Sequence, residues 1–310
     1  MMSILLAMFS AVSQGMLWAM LALGVYITFR LLDFADLTCE GSFALGGCVS
    51  AVLTVNLHMN PYLSLLCGFL AGMIAGLVTG VLNTKLKIPP ILAGILSMIS
   101  LYSINLRIML NQANVPINIR EEGVSSIVTA IQDLLPESIT SMSQTQNVIT
   151  LCIGLLFCVL SVAVLYWFFG TEMGSAIRAT GNNEKMIRAL GVNTDTTKII
   201  ALAISNGFIA LSGALVAQAQ KVADVGMGTG AIVIGLASIV IGEVLFSKVI
   251  SFKWKLVSIV VGSIIYRVIV AIVLQLGLRS SDLKLLTAIL VAAALSIPRL
   301  LPKKNKKGVA

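Results

Sequence analysis

The sequence predicts an all-α polytopic membrane protein with about eight to ten transmembrane helices. Three observations carry that prediction. Of the 310 residues, 58% are hydrophobic and only 11% charged, with a mean hydropathy of +1.00. The apolar residues fall in repeated runs of about 20, the length that crosses a hydrocarbon core. The hydrophilic stretches between runs are short, except at 111–146 and 170–196. No soluble second domain fits such a pattern, so residues 1–310 read as a single transmembrane domain.

The first run, about 4–29, lacks a basic leader and exceeds the roughly 7 to 15 apolar residues of a signal peptide, which makes it an uncleaved span. The second, about 33–56, contains Asp33, Asp36 and Glu40, so a broken or re-entrant start is expected there. Spans three and four are expected at about 61–83 and 88–110, with Gly72, Gly76 and Gly80 at the G-x-x-x-G spacing that lets helices pack closely. The segment 111–146 carries Glu121, Glu122, Asp133 and Glu137 against only Arg120. Within it Val124, Ile127, Val128, Ile131, Leu134 and Leu135 recur at helical spacing, an amphipathic helix that would lie in the headgroup region or cap a mouth of the bundle. Spans five to nine follow at about 147–169, 198–220, 229–247, 254–276 and 283–298, the seventh rich enough in Gly, Ala and Ser to be a second broken element.

If every run crosses once, Arg30, Lys85, Lys87, the 170–198 loop, Lys248, Lys253, Lys255 and the tail lysines 303–307 share one side. By the positive-inside rule that side is the cytoplasm, with the N-terminus outside, the C-terminus inside and 111–146 extracytoplasmic, in a cell membrane. The net charge of +8 is then a matter of topology and of contact with anionic lipid in the bilayer, and nucleic acid is not an expected partner. Five cysteines, Cys39, Cys48, Cys67, Cys152 and Cys158, lie in apolar runs without a C-x-x-C pair, and His58 is the single histidine. Metal and Ser/His/Asp catalytic sites are accordingly not expected. Nor does a G-x-x-x-x-G-K-[ST] cradle occur, so if nucleotide drives this protein, another chain binds it.

The segment 170–191, GTEMGSAIRATGNNEKMIRALG, is a charged island between two apolar runs. Its signals give a short helix over 173–180, a break at Gly181, a cap at Asn182 or Asn183, and a second helix from Glu184 closed by Gly191. Met186, Ile187 and Leu190 are expected on one face of that helix, with Lys185 and Arg188 pointing away. Helices this short are unstable alone in water and need a partner surface, either the ends of their own bundle or a separate protein. At this point the pattern Gly174-x-Ala176-Ile177-Arg178-Ala179-Thr180-Gly181-x-Asn183, followed by Ala189-Leu190-Gly191-Val192, resembles the coupling loop of ABC-importer permeases of the branched-chain amino acid and ribose type. The resemblance implies a type II ABC importer-like fold with a cytoplasmic coupling helix, in a subunit that performs no catalysis. It also implies three partners: an ABC ATPase subunit that binds the ATP and Mg, an extracytoplasmic substrate-binding protein, and a second permease copy or a similar permease. Arg178, Asn183, Glu184, Met186, Ile187, Arg188, Leu190 and Gly191 are the residues it implies at the ATPase contact.

Ionisable groups inside a bilayer are functional candidates by default. Arg267 sits in mid-run, Glu243 late in the seventh span, and Glu40 with Ser42 in the second. Arg267 is expected to meet Glu40 or Glu243, either as a structural pair or as part of a polar translocation path. Two Gly-rich segments, 41–47 and 226–231, fall in opposite halves, the arrangement that points to a site between repeats. The form Asp-Leu-Thr-x-Glu-Gly-Ser-Phe at 36–43 is also similar to a subgroup of these permeases associated with amino acids or related small metabolites. The expected function is thus import of a small polar metabolite, an amino acid foremost. The alternatives are a nucleoside or sugar permease, or an ion-coupled transporter using Glu40, Glu243 and Arg267 as a relay.

Overall fold

The computed structural model describes residues 2–117, 125–132, 145–246 and 251–276, with positions 285, 287–289 and 292. Most of the ninth span, the basic tail, Lys248 and most of the 111–146 segment lie outside the described residues. Helix α1 (Met2–Tyr26) continues into a π-helical turn, Ile27–Leu31. Then come α2 (Thr38–Asn56), α3 (Pro61–Thr84), α4 (Pro90–Ile108), strand β1 (Asn114–Pro116) and the short α5 (Ile127–Gln132). The rest is α6 (Thr145–Gly170), α7 (Glu172–Asn182), α8 (Glu184–Ala189), α9 (Thr194–Gln220), β2 (Val222–Asp224), α10 (Ala231–Leu245) and α11 (Phe252–Gln275). Seven of the described helices are long and apolar enough to cross a membrane; α10 is shorter.

Helix starts follow the local chemistry. Asn60 accepts from the Tyr62 N–H with Pro61 at the first helical position, and Asn193 accepts from Asp195 and Thr196 at the start of α9. The second span has the broken start expected of it: residues 33–37 are not helical, and α2 begins at Thr38. Asp33 takes a positive φ of 55°, and the buried Asp36 carboxylate accepts from the Thr38 N–H at 2.9 Å, so the acids end one element and start the next.

α9 is the centre, packed against α2, α3 and α1. Its neighbours approach to backbone contact because the residues between them have almost no side chain. Along α3, Gly68, Gly72, Gly76 and Gly80 face Ala214, Ala210, Leu202 and Ile199 of α9. From α2, a Cβ on Gly46 would run into the Ala210 carbonyl, and one on Gly213 of α9 would run into the Phe43 carbonyl. The packing role expected of Gly72, Gly76 and Gly80 is thus what the structure shows. On another face of α9, Ser205 and Ser212 donate to the carbonyls of Gly24 and Leu17 of α1 at 2.8 and 2.7 Å. Their seven-residue spacing matches two turns of helix, which keeps both on the α1 side. α1 in turn carries α6, α10 and α11.

The two ends of the bundle differ. At one lie the π turn, Lys87 and Asp195 (3.9 Å apart), and helices α7 and α8. At the other, β1 pairs antiparallel with β2 through Val115 opposite Ala223. There Gln218 of α9, wholly enclosed, donates to Ser50 and Thr54 of α2 at 3.0 and 2.9 Å and accepts from the Ile127 N–H of α5 at 3.3 Å. Ile127 and Val128 are buried, so the described part of the amphipathic segment is seated on the bundle.

The close approach makes a prediction. Gly213→Ala should cost about 1 to 3 kcal/mol by overpacking, read as a lower thermal midpoint of the purified protein in detergent. Gly170→Ala, at a site where a Cβ meets nothing within 4 Å, should leave the midpoint unchanged or slightly raised.

Candidate functional site

The charged island folds as α7 and α8. Thr171 caps α7, its Oγ1 accepting from the Gly174 N–H at 3.3 Å. The helix does not break at Gly181 but runs to Asn182. Gly181 matters instead for packing, because a Cβ there would strike the Leu31 carbonyl, and its bareness lets α7 press on the end of the π turn. The break falls at Asn183, whose extended backbone (φ −157°) and side chain, accepting from the Met186 N–H at 3.1 Å, start α8. Gly191 closes it at φ +87°.

α8 is clamped from behind. Glu184 accepts from Lys198 at 2.7 Å and Arg188 at 3.0 Å, and Arg188 also donates to Thr194 at 2.7 Å and Asp195 at 3.4 Å. The hydrogen bond from Lys198 is the main reason the Glu184 carboxyl titrates below the ordinary carboxylate range. The expected single face of Met186, Ile187 and Leu190 needs correction. Met186 and Leu190 are 50% and 72% exposed, whereas Ile187 is buried in the chain's own surface. Met186 and Leu190 are four apart and share a face, but Ile187 lies about 100° round the helix from Met186. Arg178 also turns inward. It donates to the Phe169 carbonyl at 2.9 Å, and its guanidinium lies 5.2 Å from the centre of the Phe252 ring at the start of α11.

The candidates within the bundle are arranged differently from expectation. Glu243 pairs with Arg30 of the π turn. Glu40 accepts from the Gly230 N–H at 3.0 Å, at the N-terminus of α10, where a carboxylate suits the helix dipole. Gly228 lies against the Glu40 carbonyl and Gly47 against Met227, so the two Gly-rich segments singled out in the sequence meet each other. Ser42 is buried, and among the described residues its hydroxyl has no partner.

Arg267 is therefore the main correction, since among the described residues it takes part in no ion pair. It lies fifteen residues into α11, about 22 Å along the axis from the end where Glu243 meets Arg30. Its guanidinium instead stands 4.0 Å from the centre of the Trp18 ring, and Trp18 in turn stacks on Phe43 at 4.7 Å. A cation over an aromatic face gains about 0.5 to 2 kcal/mol, against about 2.5 to 3.5 kcal/mol for a charge at the middle of a bilayer. The stack offsets only part of that cost.

Three features that bear on function are not evident in the sequence. Arg30 reads there only as a topological charge. Asp36 accepts from the Asn206 amide at 2.7 Å, joining the start of α2 to the middle of α9. Gln218 gathers the hydroxyls at the other end. The available signal is the set of polar residues inside one apolar run: Ser205, Asn206, Ser212 and Gln218.

Comparison with known proteins gives this arrangement its context. Residues 7–295 match the family described as branched-chain amino acid transport system / permease component. The chain is 39% identical over 305 residues to a tyrosine transport system permease protein of Clostridioides difficile (strain R20291), covering 96% of this chain and 94% of that one. It is 28% identical over 290 residues to the uncharacterized protein RP368 of Rickettsia prowazekii (strain Madrid E), covering 93% and 96%. Among solved structures, PsaBC from Streptococcus pneumoniae in complex with Fab aligns over 85% of this chain and 88% of that one at 14% identity, with a TM-score of 0.34, too low to inform the fold. A multi-pass helical chain with a clamped polar loop at one end, matched over nearly all of its length, belongs to the permease component family of branched-chain amino acid transport systems.

Proposed function

We propose that the chain is the non-catalytic membrane subunit of an ATP-driven importer that moves an amino acid handed to it by an extracytoplasmic binding protein. The observation that carries this is α8: a helix fixed on its inner side by Ile187 and by the Glu184–Lys198 and Arg188–Asp195 bridges to α9, presenting Met186 and Leu190 to the surroundings. Large apolar side chains held out by a rigid mount suit insertion into a groove on an ATPase subunit. The relative whose name specifies tyrosine supports an amino acid over a nucleoside or sugar. ATP and Mg belong to the ATPase, and a second permease copy or a similar permease completes the membrane part.

The same contacts offer a route for coupling. Gly181 of α7 presses on the π turn, the π turn pairs through Arg30 with Glu243 of α10, and α10 begins on the Glu40 carboxylate of α2. A π turn is a usual place for a helix to give. Displacement of the docked loop would thus reach α10 and then α2 through three contacts. The ion pair is partly exposed and therefore weak enough to part during a cycle.

Met186→Asp with Leu190→Asp should abolish co-purification of the ATPase and ATP-dependent uptake while the permease still inserts and melts as before. An intact complex would overturn the docking role of α8. Ile187→Asp is expected to lower the melting temperature as well, because its site is buried.

The orientation follows from the basic end that holds Lys85, Lys87 and α7–α8, read as cytoplasmic, with β1–β2 and α5 facing out. On a cysteine-free background, a cysteine at exposed Gln112 should react with a membrane-impermeant maleimide in intact cells, and one at Lys87 only after the membrane is opened. The reverse pattern would invert the topology.

A further inference from the structure

Arg267 stands on the membrane-spanning α11, and among the described residues its Nε is enclosed without an acceptor. The indole N–H of Trp18, the ring beneath it, is likewise enclosed without an acceptor, in a side chain only 8% exposed. Trp18 also walls a cavity of about 70 Å³ toward the β1–β2 end, where Ser13, Gln14, Asn147 and Thr150 face Leu17 and Val216. Two donors without partners among the described residues, one of them charged, thus belong to a single aromatic stack formed by α1, α2 and α11. Neither Glu40 nor Glu243 serves them: one holds the Gly230 N–H and the other pairs with Arg30. Donors alone are matched by a group that only accepts, and a guanidinium fork is matched by the two oxygens of a carboxylate.

We infer that Arg267, backed by Trp18 and Phe43, is a transit site that holds the carboxylate of the transported amino acid on its way across the membrane. This rests on the amino-acid permease function proposed above. It gives Arg267 a role that a structural ion pair would not, since the partner arrives with the substrate. The cavity beside Trp18 lies on the side from which an imported solute enters in the proposed orientation.

The test uses Trp18 as the reporter. The chain has three tryptophans, and the other two, Trp167 and Trp254, are 72% and 56% exposed, so both can be replaced by Phe with little packing lost. In that full-length protein, reconstituted in nanodiscs, titration with L-tyrosine should change Trp18 emission saturably. L-Tyrosinamide, which lacks the carboxylate, should not, and Arg267→Gln should weaken the tyrosine response about ten- to hundredfold. An equal response to acid and amide, an equal response to acetate, no response, or an undiminished response in Arg267→Gln would each overturn the site. If Arg267→Gln does not fold, the comparison of acid with amide decides alone. Uptake of L-tyrosine by proteoliposomes holding the wild-type permease, its ATPase and its binding protein is read separately. Uptake without discrimination at Trp18 removes only the transit site, whereas absent uptake removes the amino-acid function beneath it.

Discussion

Backbone contact among α2, α3 and α9 is the constraint on which the rest of this molecule depends. Lipid tails are as apolar as leucine, so helices in a bilayer gain little from hydrophobicity and associate through close packing and polar contacts. Here glycines at Gly46, Gly72, Gly76 and Gly213 remove the side chains that would hold three helices apart. Once the backbones touch, short polar side chains can reach across. Thr38 meets Thr79 at 2.9 Å, Asp36 meets Asn206, and Gln218 gathers Ser50 and Thr54. None of these would span an interface packed with leucine. The small residues therefore set the distance, and the polar network sets the register.

On the other side of α9 the same device recurs. Gly15 of α1 lies on the Ile264 backbone of α11, and Gly242 and Gly262 bring α10 and α11 together at the Ser258 and Ser238 carbonyls. Added to this packing are a partly exposed ion pair between Arg30 and Glu243, a cation over a ring, and hydroxyl-to-carbonyl bonds such as Ser263 to Gly15 at 2.9 Å. The exposed pair costs less to break than a run of interlocked backbones. α7 presses through Gly181 on the π turn that carries Arg30, so the loop bears on the weakest of these links.

Much of this is legible in the chain, and what is not has a common cause. The long apolar runs, the cap at Asn183, the packing glycines of α3 and the closing Gly191 are local or periodic properties, and each appears where the sequence puts it. The family pattern at 174–192 is also legible, because its residues are contiguous. Rotation and register are not. Ile187 turns inward although it is as apolar as Leu190. Gly181 looks like a helix breaker, yet it is a bare spot pressed on Leu31, far back along the chain. Arg267 could pair with either of two acids on sequence grounds, but those acids are committed to Gly230 and Arg30. In each case the deciding neighbour is set by tertiary packing, and hydropathy carries no record of it.

The clasp between β1 and β2 has a mechanical consequence. It bonds the segment after α4 to the segment after α9 through paired main-chain groups, and Val115, Ile117, Ala223 and Val225 form a small apolar knot with Cys48, Ala51 and Met109 beneath it. A force that lifts one segment is shared by the other, so these two flanks rise or stay together. Any movement of that face would therefore carry both flanks as one piece, as a hinge pin makes two leaves turn together.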